Sequence, residues 1–215
     1  EEIILLDATE KYTDINILPL RSLNWEGRSM DPNNVNKEIN LMPQKNSINL
    51  VNIMAEIDSQ GEINGKVREQ FFDYYAVWYR SVFGNSNSTN RMDYIEKNHL
   101  GLEISNHEVL NNIDVSLPII ENYTFKSDNE VEIIGDKMYL SPLLFFASTE
   151  NPFKQENRQY PIDFVFPHQE KYSVSIKIPE GYTVENLPVS TSISLPDGLG
   201  NFKFSNSNNG NTIQL

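Results

Sequence analysis

The sequence predicts a mainly β protein with two short helices, in which β-sandwich-like domains follow one another in tandem. Apolar and polar residues alternate along many short segments, as they do in half-buried strands. Glycine, proline and asparagine separate these segments, and they favour turns over long helices. With 215 residues and 39% hydrophobic content, the chain can fill one large or two small cores.

The amino end begins with four aliphatic residues, Ile3–Leu6, followed by Asp7. This pattern predicts a short buried strand that ends at the carboxylate. In the alternative interpretation Asp7 forms a turn and accepts a backbone hydrogen bond two residues further on. The weak periodicity of residues 10–47 predicts an irregular connector with one strand near Val35–Leu41. Trp25 is expected to anchor it by burial, the alternative being a tryptophan that stacks on a ligand.

The first strong alternation lies in residues 51–57 and resumes from Ile63, on either side of the turn Asp58–Gly61. This arrangement predicts a β-hairpin. Gly65 falls on the inward face of the second strand, where the missing side chain leaves room for a bulge or a close neighbour.

Two helices are predicted next. Aromatic residues from Phe71 to Phe83 recur at three- and four-residue steps before Gly84, and such a stripe is more typical of core packing than of a cofactor pocket. Arg80 is the notable polar residue on this helix. The second helix is expected to follow the capping residues Ser88 and Thr89 and to end at Gly101.

Further strands are predicted on both sides of residue 151, where prolines become frequent and methionine disappears. The segment at 143–147 is expected to be buried and to join two domains. The strands predicted before it are Leu102–Val109, Leu117–Phe125, Val131–Ile134 and Lys137–Leu140. The strands predicted after it are Ile162–Phe166, Tyr172–Ile178, Tyr182–Leu187, Val189–Leu195, Phe202–Ser205 and Thr212–Leu215.

Charge and composition exclude several functions. The net charge of −13 disfavours binding to nucleic acid, and no apolar run reaches the roughly 18 residues of a membrane span. The chain has no cysteine, so it holds neither a thiol nucleophile nor a cysteine-ligated metal. It also lacks a glycine-rich phosphate loop, and we expect no cofactor.

The remaining polar candidates are expected to be surface groups. The three histidines, His99, His107 and His168, have no metal-ligand spacing, so we expect no metal site. The acid pairs Glu130/Glu132 and Glu121/Asp114 could be glycosidase carboxylates, but exposed solvating charge is the simpler interpretation in a chain with 30 acidic residues.

Several motifs resemble one family. The aliphatic run before Asp7-Ala8-Thr9, and then Leu18-Pro19 and Leu23–Arg28, resemble the end of the transglutaminase-like core and the arm that leaves it. The later motifs Asn151-Pro152-Phe153, Arg158-Gln159-Tyr160-Pro161 and Ile178–Pro188 resemble the carboxy-terminal domain of unknown function that follows this core. The resemblance implies that Asp7 is the orienting acid of a Cys-His-Asp triad, whose cysteine and histidine would have to come from an upstream core.

The resemblance also implies three segments: a core remnant and exit arm at 1–34, a mostly β middle domain at 35–150, and a β-sandwich at 151–215 that is expected to be cut short. The chain would then be a non-catalytic accessory region of a periplasmic or cell-surface bacterial protein, partnered by upstream domains. The complete protein would be a transglutaminase-like acyltransferase or a cysteine protease. The alternatives are an interaction module of tandem β-domains that binds a protein or glycan, and a hydrolase that uses Asp7, Glu130 and Glu132.

Overall fold

The structure is a computed structural model that describes residues 3–30, 36–97, 99–148, 150–151, 153–155, 157 and 159–215. It is mainly β with two short helices, as the sequence predicts. The helices are α1 (Tyr74–Phe83) and α2 (Ser88–Glu96). The strands are β1 (Glu26–Ser29), β2 (Lys37–Asn40), β3 (Ser47–Ile57), β4 (Ile63–Phe71), β5 (Leu102–Leu110), β6 (Ile119–Ser127), β7 (Val131–Ile134), β8 (Lys137–Leu140), β9 (His168–Lys177), β10 (Thr191–Ser194), β11 (Asn201–Phe204), β12 (Ser207–Asn209) and β13 (Thr212–Gln214).

Seven of these strands form one sheet in the order β12-β13-β9-β3-β4-β6-β5. Neighbouring strands are antiparallel except β3 and β9, which are parallel. The predicted hairpin is confirmed as β3 and β4, paired from Asn49 and Phe71 to Ile57 and Ile63. Strands β9 and β13 come after residue 151 but join the same sheet as β3. The division at 34 and 150 stays a prediction, and residues 31–34 lie outside the described part.

One face of this sheet carries the main core. Along β3 the odd-numbered residues from Val51 to Ile57 are buried, whereas Asn52, Met54 and Glu56 are exposed. Helix α2 and a 3-10 turn at Leu144–Phe146 cover this core with Ile95, Leu144 and Phe145. The expectation of a buried segment at 143–147 is therefore confirmed for Leu144 and Phe145.

Gly65 lies on the inward face of β4, as expected. A Cβ atom at this position would lie 2.5 Å from a ring carbon of Phe125 and 2.7 Å from the carbonyl oxygen of Met54. Both contacts are closer than real Cβ atoms tolerate, so Phe125 packs where a side chain of residue 65 would otherwise be.

Helix α1 confirms the predicted aromatic stripe in part. Phe71, Tyr79 and Phe83 pack together in a second buried cluster, but Trp78 and Val82 remain 43% and 49% exposed. Helix α2 begins one residue after its N-cap Asn87, whose side-chain oxygen accepts the backbone N–H of Asn90. Ser88 and Thr89, predicted as caps, are therefore the first two residues of the helix.

Arg80 is 1% exposed, and its side chain is hydrogen-bonded to the loop between β5 and β6. Its guanidinium donates hydrogen bonds to the backbone carbonyls of Asn111, Asn112, Asp114 and Leu117. These contacts give Arg80 a structural role, since all four acceptors are backbone atoms of one loop.

The amino-terminal predictions need correction. Residues Ile3–Leu6 form no strand, and Ile3, Ile4 and Leu6 are 54%, 56% and 70% exposed because Leu5 alone of this run packs on a buried cluster. Trp25 is 70% exposed, so it does not anchor the arm. The arm is held instead by Ile17, Leu18 and Leu23, which pack on Tyr74. The strand predicted near 35–41 is β2, although Val35 lies outside the described residues.

Two of the strands predicted after residue 151 are wrong. Segment 162–166 is broken at Val165, which has a φ of 65° and donates its N–H to the Asp163 side chain. Segment 182–187 packs Tyr182, Val184 and Leu187 on the core without pairing. The other predictions in both strand sets are confirmed within a few residues. β12 was not predicted, since Ser207–Asn209 is polar throughout. Pro152 and Arg158 of the family motifs lie outside the described residues.

No helix in the described part of the chain combines the length and the apolar content that crossing a bilayer requires.

Candidate functional site

Two glutamates lie side by side on the covered face of the sheet. Strands β4 and β6 are antiparallel, and their register places Glu69 directly opposite Glu121. Both residues occupy inward positions between apolar neighbours, so Glu69 is 6% exposed and Glu121 is fully buried. Adjacent buried carboxyl groups repel each other when both are ionised, so their surroundings decide which one keeps its proton.

Helix α2 places Arg91 over Glu121. The guanidinium donates from Nε to Oε1 at 2.8 Å and from Nη2 to Oε2 at 2.7 Å, a two-point contact. The rings of Tyr79, Phe83 and Tyr94 surround the guanidinium, with centroids 4.7 to 5.5 Å from its central carbon. Arg91 is therefore held by charge on one side and by aromatic faces around it.

Glu121 Oε1 also accepts hydrogen bonds from the Tyr79 hydroxyl and lies 2.7 Å from His107 Nε2. Burial opposes ionisation of this carboxyl. The hydrogen bonds from His107, Arg91 and Tyr79 and the positive charge of Arg91 outweigh burial and lower its pKa to about 2. Glu121 is thus a fixed carboxylate whose two oxygens are both occupied.

Among the residues that the structure describes, Glu69 has no cationic partner of its own. Burial and the neighbouring carboxylate of Glu121 raise its pKa to about 7, and the charge of Arg91 and hydrogen bonds from Tyr123 and Asn49 offset only part of this. The hydroxyl of Tyr123 donates at the long distance of 3.3 Å. Near neutral pH Glu69 therefore exists in both protonation states.

Glu69 lies on the floor of a cleft of about 580 Å³ between the sheet, the two helices and the 3-10 turn. Asn49 and Tyr123 share the floor, and the Oδ1 atom of Asn49 is buried with no donor among the described residues. Aromatic side chains dominate the walls, and Trp78 and Tyr94 remain about half exposed at them. These wall residues include Tyr75, Trp78, Tyr94, Phe145, Phe146 and Phe166.

This arrangement is suited to binding. A cleft of this volume, apolar on its walls and polar at a few points, is typical of sites for small ligands or side chains. Glu69 could exchange a proton near neutral pH, but the cleft presents no activated nucleophile beside it. The described residues contain no group of three or more metal-ligating side chains.

The structure places Asp7 in a turn, not at the end of a strand. Its Oδ1 accepts the backbone N–H of Thr9 at 2.8 Å and the Thr9 hydroxyl, as the turn interpretation expects. Its Oδ2 lies 3.2 Å from Arg21 Nη2. The Thr9 hydrogen bonds, with help from Arg21, lower the pKa of Asp7. Asp7 does not line the cleft, and its role in a triad stays a prediction.

Some of the other polar residues predicted at the surface are exposed in the structure, and others are buried. Asp114, Glu132 and His168 are exposed, as expected, and His99 and Glu130 are partly buried. His107 and Glu121 were predicted at the surface, and this was wrong. A bulge between Ser105 and Glu108, with Asn106 at a φ of 52°, turns His107 to the covered face, where its side chain is 2% exposed.

The positions of Glu69 and Glu121 in the sequence indicate this site, although the 30 acidic residues of the chain make any one of them look like a surface charge. Glu69 falls between Val67 and Phe71, and Glu121 falls between Ile119 and Tyr123, at the inward positions of alternating strands. A carboxyl group at such a position has to be paired or has to keep its proton when the strand is buried. That rule would have selected both residues from the other acidic side chains.

Comparison with known proteins covers only the later part of the chain. Residues 136–215 match the family model of a domain of unknown function with solved structure, DUF3858. No curated protein and no solved structure matches the chain. The DUF3858 segment supplies Phe145, Phe146 and Phe166 to the cleft, while the buried charged cluster lies before it. The expected domain of unknown function is thus found.

Proposed function

We propose that this chain is a non-catalytic accessory region of a transglutaminase-like protein of the bacterial envelope, and that it contacts substrate through the cleft. The observation that carries the proposal is the cleft, whose walls are aromatic and whose one lining acid among the described residues, Glu69, has no activated nucleophile beside it.

The link to transglutaminase-like proteins rests on the motifs around Asp7 and Ile178–Pro188. In such a protein, an upstream core would perform thiol-dependent acyl transfer or amide hydrolysis. Asp7 would orient the histidine of that core. Its carboxylate is accessible enough for this, because its side chain is 21% exposed and its ionic partner Arg21 is itself 56% exposed.

The first test is the coding sequence upstream of Glu1, where the proposal requires both a cysteine and a histidine at core-like positions. In the longer protein, Asp7→Asn should lower kcat for amide hydrolysis or acyl transfer. Trp78→Ala, at the wall of the cleft, should raise KM and leave kcat unchanged. The absence of either upstream residue would overturn the proposal, as would an unchanged KM in Trp78→Ala.

A second candidate function is a cell-surface interaction module that binds a protein or glycan. The half-exposed rings of Trp78 and Tyr94 favour it, since exposed aromatic residues beside a cleft are common contact residues. A pull-down and a glycan array with the 215-residue chain would identify such a partner. Specific binding that Trp78→Ala abolishes, together with no thiol-dependent activity in the longer protein, would favour this function over the first.

A further inference from the structure

We infer that the cleft binds a primary ammonium group carried on an apolar body, with the ammonium between the Glu69 carboxyl group and the Asn49 side-chain oxygen. This inference rests on the proposed binding role of the cleft and names the class of ligand.

Two hydrogen-bond acceptors on the floor of the cleft are incompletely paired. Asn49 Oδ1 is buried and has no partner among the described residues, and Glu69 receives only the long contact from Tyr123 and a hydrogen bond from Asn49. A buried acceptor left unpaired costs free energy that a donor on a ligand would recover. A primary ammonium carries three donors and no acceptor, so it matches this floor.

The charge balance of the floor also favours a cation. Arg91 and Glu121 neutralise each other in a two-point contact, which leaves the carboxyl of Glu69 as the one uncompensated acid on the floor of the cleft. An anionic ligand would face that carboxyl, and the positive charge of Arg91 is already paired with Glu121. The net charge of −13 would also attract cations to the protein as a whole.

The walls suit the rest of such a ligand. Trp78, Tyr94 and Phe166 present aromatic surface that can bury an apolar body, and aromatic faces also attract a nearby cation. The volume of about 580 Å³ exceeds what an isolated ammonium group needs. It falls within the range of roughly 300 to 1,000 Å³ that is typical of sites for small organic ligands.

Binding should strengthen as pH rises through neutrality, because the ammonium prefers ionised Glu69. The groups facing Glu69 keep their charge over this range. Glu121 on β6 stays ionised, Arg91 on α2 stays positive, Tyr123 on β6 stays protonated, and Asn49 on β3 does not titrate. His99, at the cleft wall, has a pKa lowered by burial, which favours its neutral form. We therefore expect affinity to rise roughly tenfold from about pH 6 to about pH 8.

The test is isothermal titration calorimetry of the 215-residue chain with matched probes: phenethylamine, phenylethanol and phenylpropionate. At about pH 8 the amine should bind roughly tenfold more tightly than the alcohol or the acid, which corresponds to one charge-assisted hydrogen bond. Glu69→Gln should remove this preference and its pH dependence. Glu103→Gln is the matched control, since it removes one exposed acidic charge from the same sheet.

Two further arms complete the experiment. A capped peptide with one lysine between two phenylalanines tests whether the ammonium comes from a protein side chain, and tighter binding than phenethylamine would identify that source. Asn49→Leu gives a second variant that should weaken amine binding if Glu69→Gln does not fold. Equal binding of amine and alcohol that Trp78→Ala abolishes would overturn this inference and leave the binding role of the cleft intact. Binding of no probe would overturn this inference, whereas the binding role of the cleft is tested by the KM of Trp78→Ala in the longer protein.

Discussion

Glu69 and Glu121 show how neighbouring side chains of one type acquire opposite ionisation. They face each other across β4 and β6, but Arg91 contacts only Glu121. That contact and the hydrogen bonds from His107 and Tyr79 fix the charge of Glu121, and the fixed charge then opposes ionisation of Glu69. The proton-exchanging residue of the cleft is therefore the less well paired of the two.

Replacing Arg91 by Met should destabilise the fold strongly. The substitution leaves the buried Glu121 without its cation, and breaking a buried ion pair from one side typically costs about 3 to 5 kcal/mol. Urea unfolding followed by circular dichroism would measure the change in free energy of unfolding. Arg68→Met is the control, because Arg68 is an exposed arginine of β4. Equal losses in both variants would show that the Arg91–Glu121 pair contributes little.

The free energy of unfolding should depend on pH through the ionisation of Glu69. Its pKa is raised from an ordinary 4.5 to about 7 in the folded state. The protonated side chain therefore stabilises the folded state, and this stabilisation is fully present below about pH 4.5. That contribution is lost as pH rises through about 7, because the folded state then has to give up a proton that it binds more tightly than the unfolded state does. The full loss amounts to roughly 3 kcal/mol.

Urea unfolding of the native chain and of Glu69→Gln from about pH 5 to about pH 8 would measure this contribution of Glu69 to the free energy of unfolding. The variant should lose less stability over this range than the native chain. Glu103→Gln, at an exposed position, should follow the native chain. Parallel curves for the native chain and Glu69→Gln would mean that the pKa of Glu69 is not raised.

At the scale of the element, one local break in a regular strand adds His107 to the buried charged cluster. The bulge in β5 shifts the alternation by one residue, so the covered face receives His107 where regular pairing would place Asn106. Neither residue type signals a bulge at this place, and for that reason the sequence predicted His107 at the surface. The position of Gly65, by contrast, follows directly from the alternation of β4.

Gly65→Ala should destabilise the β3–β4–β6 part of the sheet. The new methyl group would collide with Phe125 and with the backbone oxygen of Met54, and backbone cannot move aside as a flexible side chain can. Overpacking of this kind costs about 1 to 3 kcal/mol. Thermal unfolding would measure it, with Asn64→Ala on the same strand as the control. A variant as stable as the control would show that the sheet adjusts at this point.

At the scale of the whole molecule, the sequence predicted contacts close in the chain better than distant ones. The β3–β4 hairpin and both helices follow from spacing and turn residues within about 20 positions. The parallel pairing of β3 with β9 joins residues more than a hundred positions apart, and alternation does not state which strands become neighbours. The cluster around Glu121 joins residues from α1, α2 and β5 that lie 14 to 42 positions away. Of its members, the sequence predicted His107 and Glu121 as separate surface groups.

The pairing of β3 with β9 leads to the last prediction, that residues 1–150 and 151–215 do not fold separately. Val174 and Ile176 of β9 belong to the same buried cluster as Val51 and Ile53 of β3. A chain that ends at residue 150 would lose these contacts and expose one edge of β3. We expect the shortened chain to show poor amide dispersion by NMR and no cooperative thermal transition, while the 215-residue chain unfolds in one step.

The 215-residue chain with a short glycine-serine insertion after residue 151 is the matched control, since the insertion interrupts the sequence without removing β9. It should keep the single transition, because closing a slightly longer loop costs only a fraction of a kcal/mol. If the shortened chain instead gave a dispersed spectrum and its own transition, β9 would be an addition to an already stable domain. The predicted boundary near residue 150 would then separate two folding units, and the cleft, whose walls include Phe166, would lie where they meet.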